Sequence, residues 1–356
     1  MRFPCRYLLA VTALMAGSVL LAACGGEHAS LLWRFETGDS VGSSPAVVDA
    51  VVYIGSNDGY VYALEAPTGE ELWRFGTGDI VHSSPAVANG VVYVGSFDHY
   101  VYALKAATGE ELWRFQTGDE VFSSPAVVEG TVYIGSNDSH LYALDAATGE
   151  ERWRFQTGGH VYSSPTVVDG VAYVGGFDGY VYAVEATTGE QRWRFKRTFP
   201  GEAFSSSPAV ADGVVYIGAD YVYALDAATG DLLWRFSAGW PVSYYSPTVA
   251  DGVVYVGSID GYVHALDAAT GDERWRLEAG GAIDSSAAVV DRVVYIGSGL
   301  DLFDTRTPCL YALEAGAGHE RWRFKMGDWV YSSPAVVEGV VYVGSMDGYV
   351  YAITEK

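Results

Sequence analysis

From residue 31 onward the apolar positions fall in short runs, four to seven residues long, that repeat the same few patterns: "SSPAVV", "GVVYVGS", "GYVYAL" and "ERWRF". Each run is rich in Val, Tyr, Ile, Trp and Phe and is closed by turn-forming residues, the pattern of β-strands. No later stretch carries a 3.6-residue apolar period of adequate length, so helical repeats are excluded. Between the runs, "VADGVVY" and "GFDGYVY" place Asp-Gly where a two-residue hairpin needs it, and "AATGE" supplies Gly to a third turn. These connections are too short for crossovers, so the unit is an antiparallel four-stranded meander.

The Trp of the last run falls at 33, 73, 113, 153, 193, 234, 275 and 322, a spacing of 40, 40, 40, 40, 41, 41 and 47. A four-stranded unit at this period is a blade of a β-propeller. The second strand, marked by Tyr53, Tyr93, Tyr133, Tyr173, Tyr216, Tyr255, Tyr295 and Tyr342, also occurs eight times. The last repeat, however, ends at "YVYAITEK" without a fourth strand, while the chain opens on an unowned one, "LLWRFETGD". The pattern therefore predicts an all-β, eight-bladed propeller over residues 31–356, its ring closed by the N-terminal strand. An open array would leave strand edges and an apolar face exposed at each end.

The motif "AxDxxTGxxxW" is met in full by Ala143, Asp145, Thr148, Gly149 and Trp153, and again from Ala224 to Trp234 and from Ala265 to Trp275. Other copies replace the Asp with Glu65, Glu185, Glu314 or Lys105. In these residues the chain resembles the pyrroloquinoline quinone (PQQ)-type propellers. The resemblance implies eight blades and a structural role, Trp docking, for Trp33, Trp73, Trp113, Trp153, Trp193, Trp234, Trp275 and Trp322. Burying such a ring contributes a few kcal/mol by area.

Residues 1–23 read as an export signal: Arg2 and Arg6 precede an apolar stretch from Tyr7 to Leu20, and "LAAC" closes it. That ending resembles a lipobox, which implies a lipid on Cys24 and a tether over residues 24–30. The apolar stretch is short for a membrane span. Gly25, in place of Asp, fits outer-membrane placement in a Gram-negative cell. Without the signal the net charge moves from −23 to −25, which repels phosphate backbones and argues against nucleic acid as a partner. Cys5 leaves with the signal and Cys24 carries lipid, so Cys309 has no disulfide partner. With 49% hydrophobic residues the core holds by burial.

Candidate chemistry is sparse. The His residues, at 28, 82, 99, 140, 160, 264 and 319, stand singly with no zinc-type pair. Asp58, Asp178 and Asp260 lack the alternating spacing of a calcium loop and read as turn residues. Ser44, Ser84 and Ser124 read as small side chains where the inner strands converge. Quinoprotein dehydrogenases with this repeat carry an adjacent Cys pair, calcium-binding residues, a catalytic Asp and long insertions. No adjacent Cys pair occurs here, so no cofactor is expected, with PQQ plus calcium the alternative.

The repeat breaks in three places: "KRTFPGEAFSS", "SAGWPVSYYSP" and "SGLDLFDTRTPCL". Blade topology places all three on one face, over blades 4 to 7. Exposed aromatics and Arg on such loops are typical interface anchors, which nominates Arg197, Phe199, Phe204, Trp240, Tyr244, Tyr245, Phe303 and Arg306 as partner-binding residues. The first strand runs toward that face, so Cys24 lies at the opposite one and the elaborated face points away from the membrane.

Lipobox, compact blades and PQQ-type repeats together resemble the BamB family of lipoproteins, scaffolds of the outer-membrane β-barrel assembly machinery. The resemblance implies a non-enzymatic, membrane-anchored scaffold with envelope proteins as partners. Two other functions fit the same fold: a PQQ-dependent oxidoreductase and a small-ligand or carbohydrate-binding propeller.

Overall fold

A computed structural model of the chain describes residues 29–197, 203–239, 242, 246–279, 281–299 and 307–356. They form eight four-stranded antiparallel sheets and no helix. Seven sheets use consecutive strands; blade 1, for example, runs from Ala46–Val48 through Val51–Gly55 and Tyr60–Glu65 to Glu71–Gly76. The eighth joins the two ends of the chain. Its inner three strands are Ala335–Val337, Val340–Gly344 and Tyr349–Glu355, and its outer strand is Ala29–Glu36. Pairing runs antiparallel from Ala29 opposite Glu355 to Glu36 opposite Tyr349, with a register shift between Leu31 and Trp33. The latch expected from the sequence is present and begins two residues before Leu31.

Burial explains the strand patterns. The second and third strands are covered on both faces by neighbouring blades, so "VVYIG" and "YVYALE" are nearly continuous apolar runs. Outer strands keep one face in solvent and alternate, with Trp73 and Phe75 of "ELWRFG" turned inward. Each core cluster joins two adjacent blades. Val61 and Ala63 meet Val92 and Leu104, for instance, and Trp33, Ile54 and Leu64 meet Tyr342 and Val350 across the closure.

The Trp docking implied by the repeat is visible atom by atom. Trp73 donates its indole N–H to Ala106 O on the next blade at 2.9 Å, and Tyr53 donates its hydroxyl to the same carbonyl at 3.2 Å. Gly109 is required beneath it, because a Cβ there would lie 2.6 Å from the Trp73 ring. Trp33, Trp113, Trp153, Trp193, Trp234 and Trp275 repeat the bond at 2.8 to 3.0 Å.

Trp322 departs from the pattern. Its docking partner would be a Thr-Gly turn on blade 8, which is where the chain ends interrupt the sheet. Its ring is the best buried of the set, 2% exposed, yet its indole N–H meets no acceptor among the described residues.

Candidate functional site

The two faces of the disc are distinguished by backbone hydrogen bonds. Connections from an outer strand to the next inner strand sit beside the second-to-third hairpins: Thr37 N donates to Gly348 O, and Gly38 N donates to Asp58 Oδ2 at 2.6 Å. Asp58 also accepts from the Tyr62 hydroxyl at 2.6 Å, and Asp98, Asp138 and Asp178 repeat both bonds. These Asp residues are interblade clamps as well as turn residues. The remaining turns, tied by bonds such as Ala66 N to Ala50 O, lie on the opposite face with Ala29.

At the axis the paired serines do more than fit. The first of each pair is fully buried; Ser43 Oγ accepts from Gly55 N at 3.1 Å and donates to Ser83 O at 3.1 Å. The second serines close a ring. Ser44 N donates to Ser84 Oγ, and the relay passes through Ser124, Ser164, Ser207, Ser246, Ser286 and Ser333 back to Ser44, every bond between 2.8 and 3.1 Å. Each Oγ accepts one amide N–H, and its own O–H meets no acceptor among the described residues. Smallness alone does not account for these serines, since Ala would fit and break the ring.

Above the ring, on the loop face, stands the residue two places before each second serine. Among the described residues it is Gly42, His82, Phe122, Tyr162, Ser205, Asp284 or Tyr331. This varied position sits between near-identical neighbours. His82, Phe122 and Tyr162 form a stacked arc, with ring centroids 4.5 and 5.0 Å apart and planes within about 21° of parallel. Phe97 and Phe177 extend it outward, and Trp329 meets Tyr331 edge-on in the connection that leads into blade 8. Gly42 makes the arc possible: a Cβ there would come within 2.7 Å of the His82 ring. Burial lowers the His82 pKa, which favours the neutral imidazole. Tyr331 is pushed up to about 12 by burial and by the carboxylates of Asp284 and Asp328. Ring, arc and Tyr331 line an axial funnel of about 580 Å³.

The nominated partner-binding residues fare differently. Phe204 is fully buried, filling the core slot that Val41, Val81, Val121 and Val161 occupy in other blades, so its side chain is core and not a surface anchor. Arg197 is 7% exposed, its amide donating to Gly179 O in the place of the usual Thr. Phe199, Trp240, Tyr244, Tyr245, Phe303 and Arg306 lie outside the described residues, as do the signal segment, Cys24 and the start of the tether. The described residues flanking these loops, such as Arg197 and Gly299, are on the loop face. His82, Phe122, Tyr162 and Tyr331 were missed as site residues. The available signal was the varied position inside "VxSSP", which only ring closure gathers around one axis.

PQQ, the cofactor of dehydrogenases with this repeat, is a polycarboxylate and needs cations or a metal beside it. The described funnel lining holds Gly42, serines and aromatic rings but no Lys or Arg. No group of three or more His, Cys, Asp or Glu suited to a metal occurs among the described residues. The described residues alone supply neither.

Two family models match the chain. One, described as beta-alanine-activating enzyme, beta-propeller, covers residues 13–218; the other, described as outer membrane protein assembly factor BamB, matches 177–302 and 259–356. No curated protein matches. Among solved structures, BamB from Moraxella catarrhalis superposes with a TM-score of 0.77 at 18% identity, over 92% of this chain and 99% of that one. The computationally designed Ika8 protein gives 0.79 at 21% identity, over 90% and 98%. Quinohemoprotein alcohol dehydrogenase from Comamonas testosteroni gives 0.76 at 18%, over 91% of this chain and 76% of that one. At such identities the structural likeness speaks for fold alone. With the repeat motif, the eight blades and family models that each span at least half its length, the chain belongs to the PQQ-repeat β-propeller family that the BamB model describes.

Proposed function

We propose that the chain is a non-enzymatic scaffold of the cell envelope, held to a membrane by lipid on Cys24 and presenting its loop face to envelope proteins. One observation carries the reading: the blades are near copies of one another, and their departures gather on that face, in the funnel-rim residues and beside the three inserted segments. A rigid repeat that varies on one face is built to present that face. The family model named for an outer-membrane assembly factor supports the same role. On this reading the strand Ala29–Glu36 starts at the opposite face, so the loop face is turned away from the membrane.

Affinity capture from solubilised envelope tests it. The full chain should retain specific proteins that a variant with the three insertions shortened to the length of the other blades does not, while both melt alike. Equal capture by both would overturn the role given to this face. The dehydrogenase reading is tested separately with PQQ and calcium; saturable binding with dye reduction would overturn the non-enzymatic assignment.

A further inference from the structure

One place in each outer strand stands outside the ladder. Leu72 falls between Glu71, opposite Leu64, and Trp73, opposite Ala63, so it has no cross-strand partner, and its side chain is 52% exposed. All eight outer strands carry this bulge. On blades 3, 4, 6 and 7 it holds Arg152, Arg192, Arg274 and Arg321. Each of these guanidinium groups reaches a carboxylate at 2.6 to 2.9 Å, as Arg152 reaches Asp145. On blades 8, 1 and 2 the same place holds Leu32, Leu72 and Leu112, 49 to 52% exposed, and the exposed Leu31 stands beside Leu32.

Single exposed apolar side chains are ordinary on a protein surface. Here three successive blades carry Leu, whereas Leu233 on blade 5 is across the ring, isolated between Arg192 and Arg274. In blades 1 and 2 the bulge follows the Thr-Gly turn, on the face opposite the loops, and the chain enters the fold on that same face at Ala29 of blade 8. Residues 24–28 separate Cys24 from Ala29, a reach of at most about 18 Å. Leu31 and Leu32 follow at once. A lipid on Cys24 therefore holds this side of the rim beside the bilayer, and not the blade 5 side.

The neighbouring charges suit a zwitterionic surface. Glu71 pairs with Arg74 at 3.4 Å and Glu111 with Arg114 at 3.7 Å, and Lys105 of blade 2 stands where other blades carry Asp or Glu. An anionic surface would be opposed by the chain's net charge of −23. The outer strands also keep an unpaired backbone edge that needs water, which limits contact to headgroup depth.

We propose that the rim of blades 8, 1 and 2 docks on the headgroup layer of a zwitterionic bilayer through Leu31, Leu32, Leu72 and Leu112, and so fixes the tilt of the propeller. This docking rests on the lipid anchor at Cys24 and adds orientation to it. The tether sets the distance, and the Leu sector sets the angle at which the loop face is presented.

Quenching by bromolipid tests it. The full chain, produced with its export signal, is reconstituted in vesicles of phosphatidylcholine and phosphatidylethanolamine with an environment-sensitive dansyl side chain at position 72, 112 or 233. Positions 72 and 112 should emit at shorter wavelength, and lipids brominated near the headgroup should quench them about twofold or more beyond position 233. Leu32→Glu should remove about half or more of the quenching at position 72 while the chain stays on the vesicles, with melting followed in parallel. Equal quenching at all three positions, or quenching untouched by Leu32→Glu, would overturn the docking. Shielded emission at 72 and 112 that bromolipid does not quench would assign the sector to a protein neighbour, such as a second copy of the chain, and would overturn it too. A chain that fails to float with the vesicles overturns the anchor itself, an outcome distinct from a floating chain whose labels all lie in water.

Discussion

At the scale of single residues, Trp113 and Trp322 separate two contributions that the repeat otherwise merges. Trp113 packs on Gly149 and donates to Ala146 O at 3.0 Å, whereas Trp322 is buried with no acceptor for its N–H among the described residues. Trp113→Phe should therefore cost about 1 kcal/mol more than Trp322→Phe, the net worth of one hydrogen bond. Chemical denaturation of the pair measures this; an equal or reversed cost would show that the bond contributes nothing. The Trp positions were legible in the sequence because a fixed period exposes them. The orphaned N–H was not, since it arises from where the ring was cut and not from any local motif. Phe204 shows the reverse error: beside an insertion it reads as an exposed anchor, yet it occupies the slot where most other blades place Val, and alignment of the blades would have found it.

Among the elements, the strand Ala29–Glu36 has the greatest consequence. It supplies the outer edge of blade 8, and Trp33 joins the core cluster that seals blade 8 to blade 1. Deleting residues 29–36 exposes the strand Tyr349–Glu355 as an edge and removes a buried Trp. The expected loss is on the order of 5 kcal/mol or more, seen as a lower melting temperature of the whole domain and not as a separate early transition. Unchanged melting would mean the strand is an appendage. Count and turn chemistry made the latch readable, because eight second strands demand eight outer ones. The serine ring was read only as a crowded axis. Its hydrogen bonds run between residues about 40 positions apart, and nothing local announces them.

For the molecule as a whole, the interblade clamps make alkaline stability a test of the architecture. Tyr62, Tyr102, Tyr142, Tyr182 and Tyr351 have pKa values raised first by burial and then by donating to Asp58, Asp98, Asp138, Asp178 and Asp347. Tyr311 and Tyr331 are pushed up to about 12. A pKa higher in the folded than in the unfolded chain means that the folded chain holds more protons above pH 10. The stability these groups contribute is fully present below pH 10 and falls as pH rises beyond it. Tyrosinate absorbance should then appear together with loss of β-sheet ellipticity in one cooperative step. Free titration of these tyrosines near pH 10 in a folded chain would contradict the clamps.

The central claim is that this ring meets its partners through the loop face. Site-specific photo-crosslinking in intact envelopes tests it most directly, with a benzophenone side chain at Asp79, His160 or Trp329 on the loop face and at Glu70, Glu110 or Glu150 on the other. Discrete protein adducts from the first set and none from the second are predicted. Adducts confined to Glu70, Glu110 and Glu150 would contradict the claim.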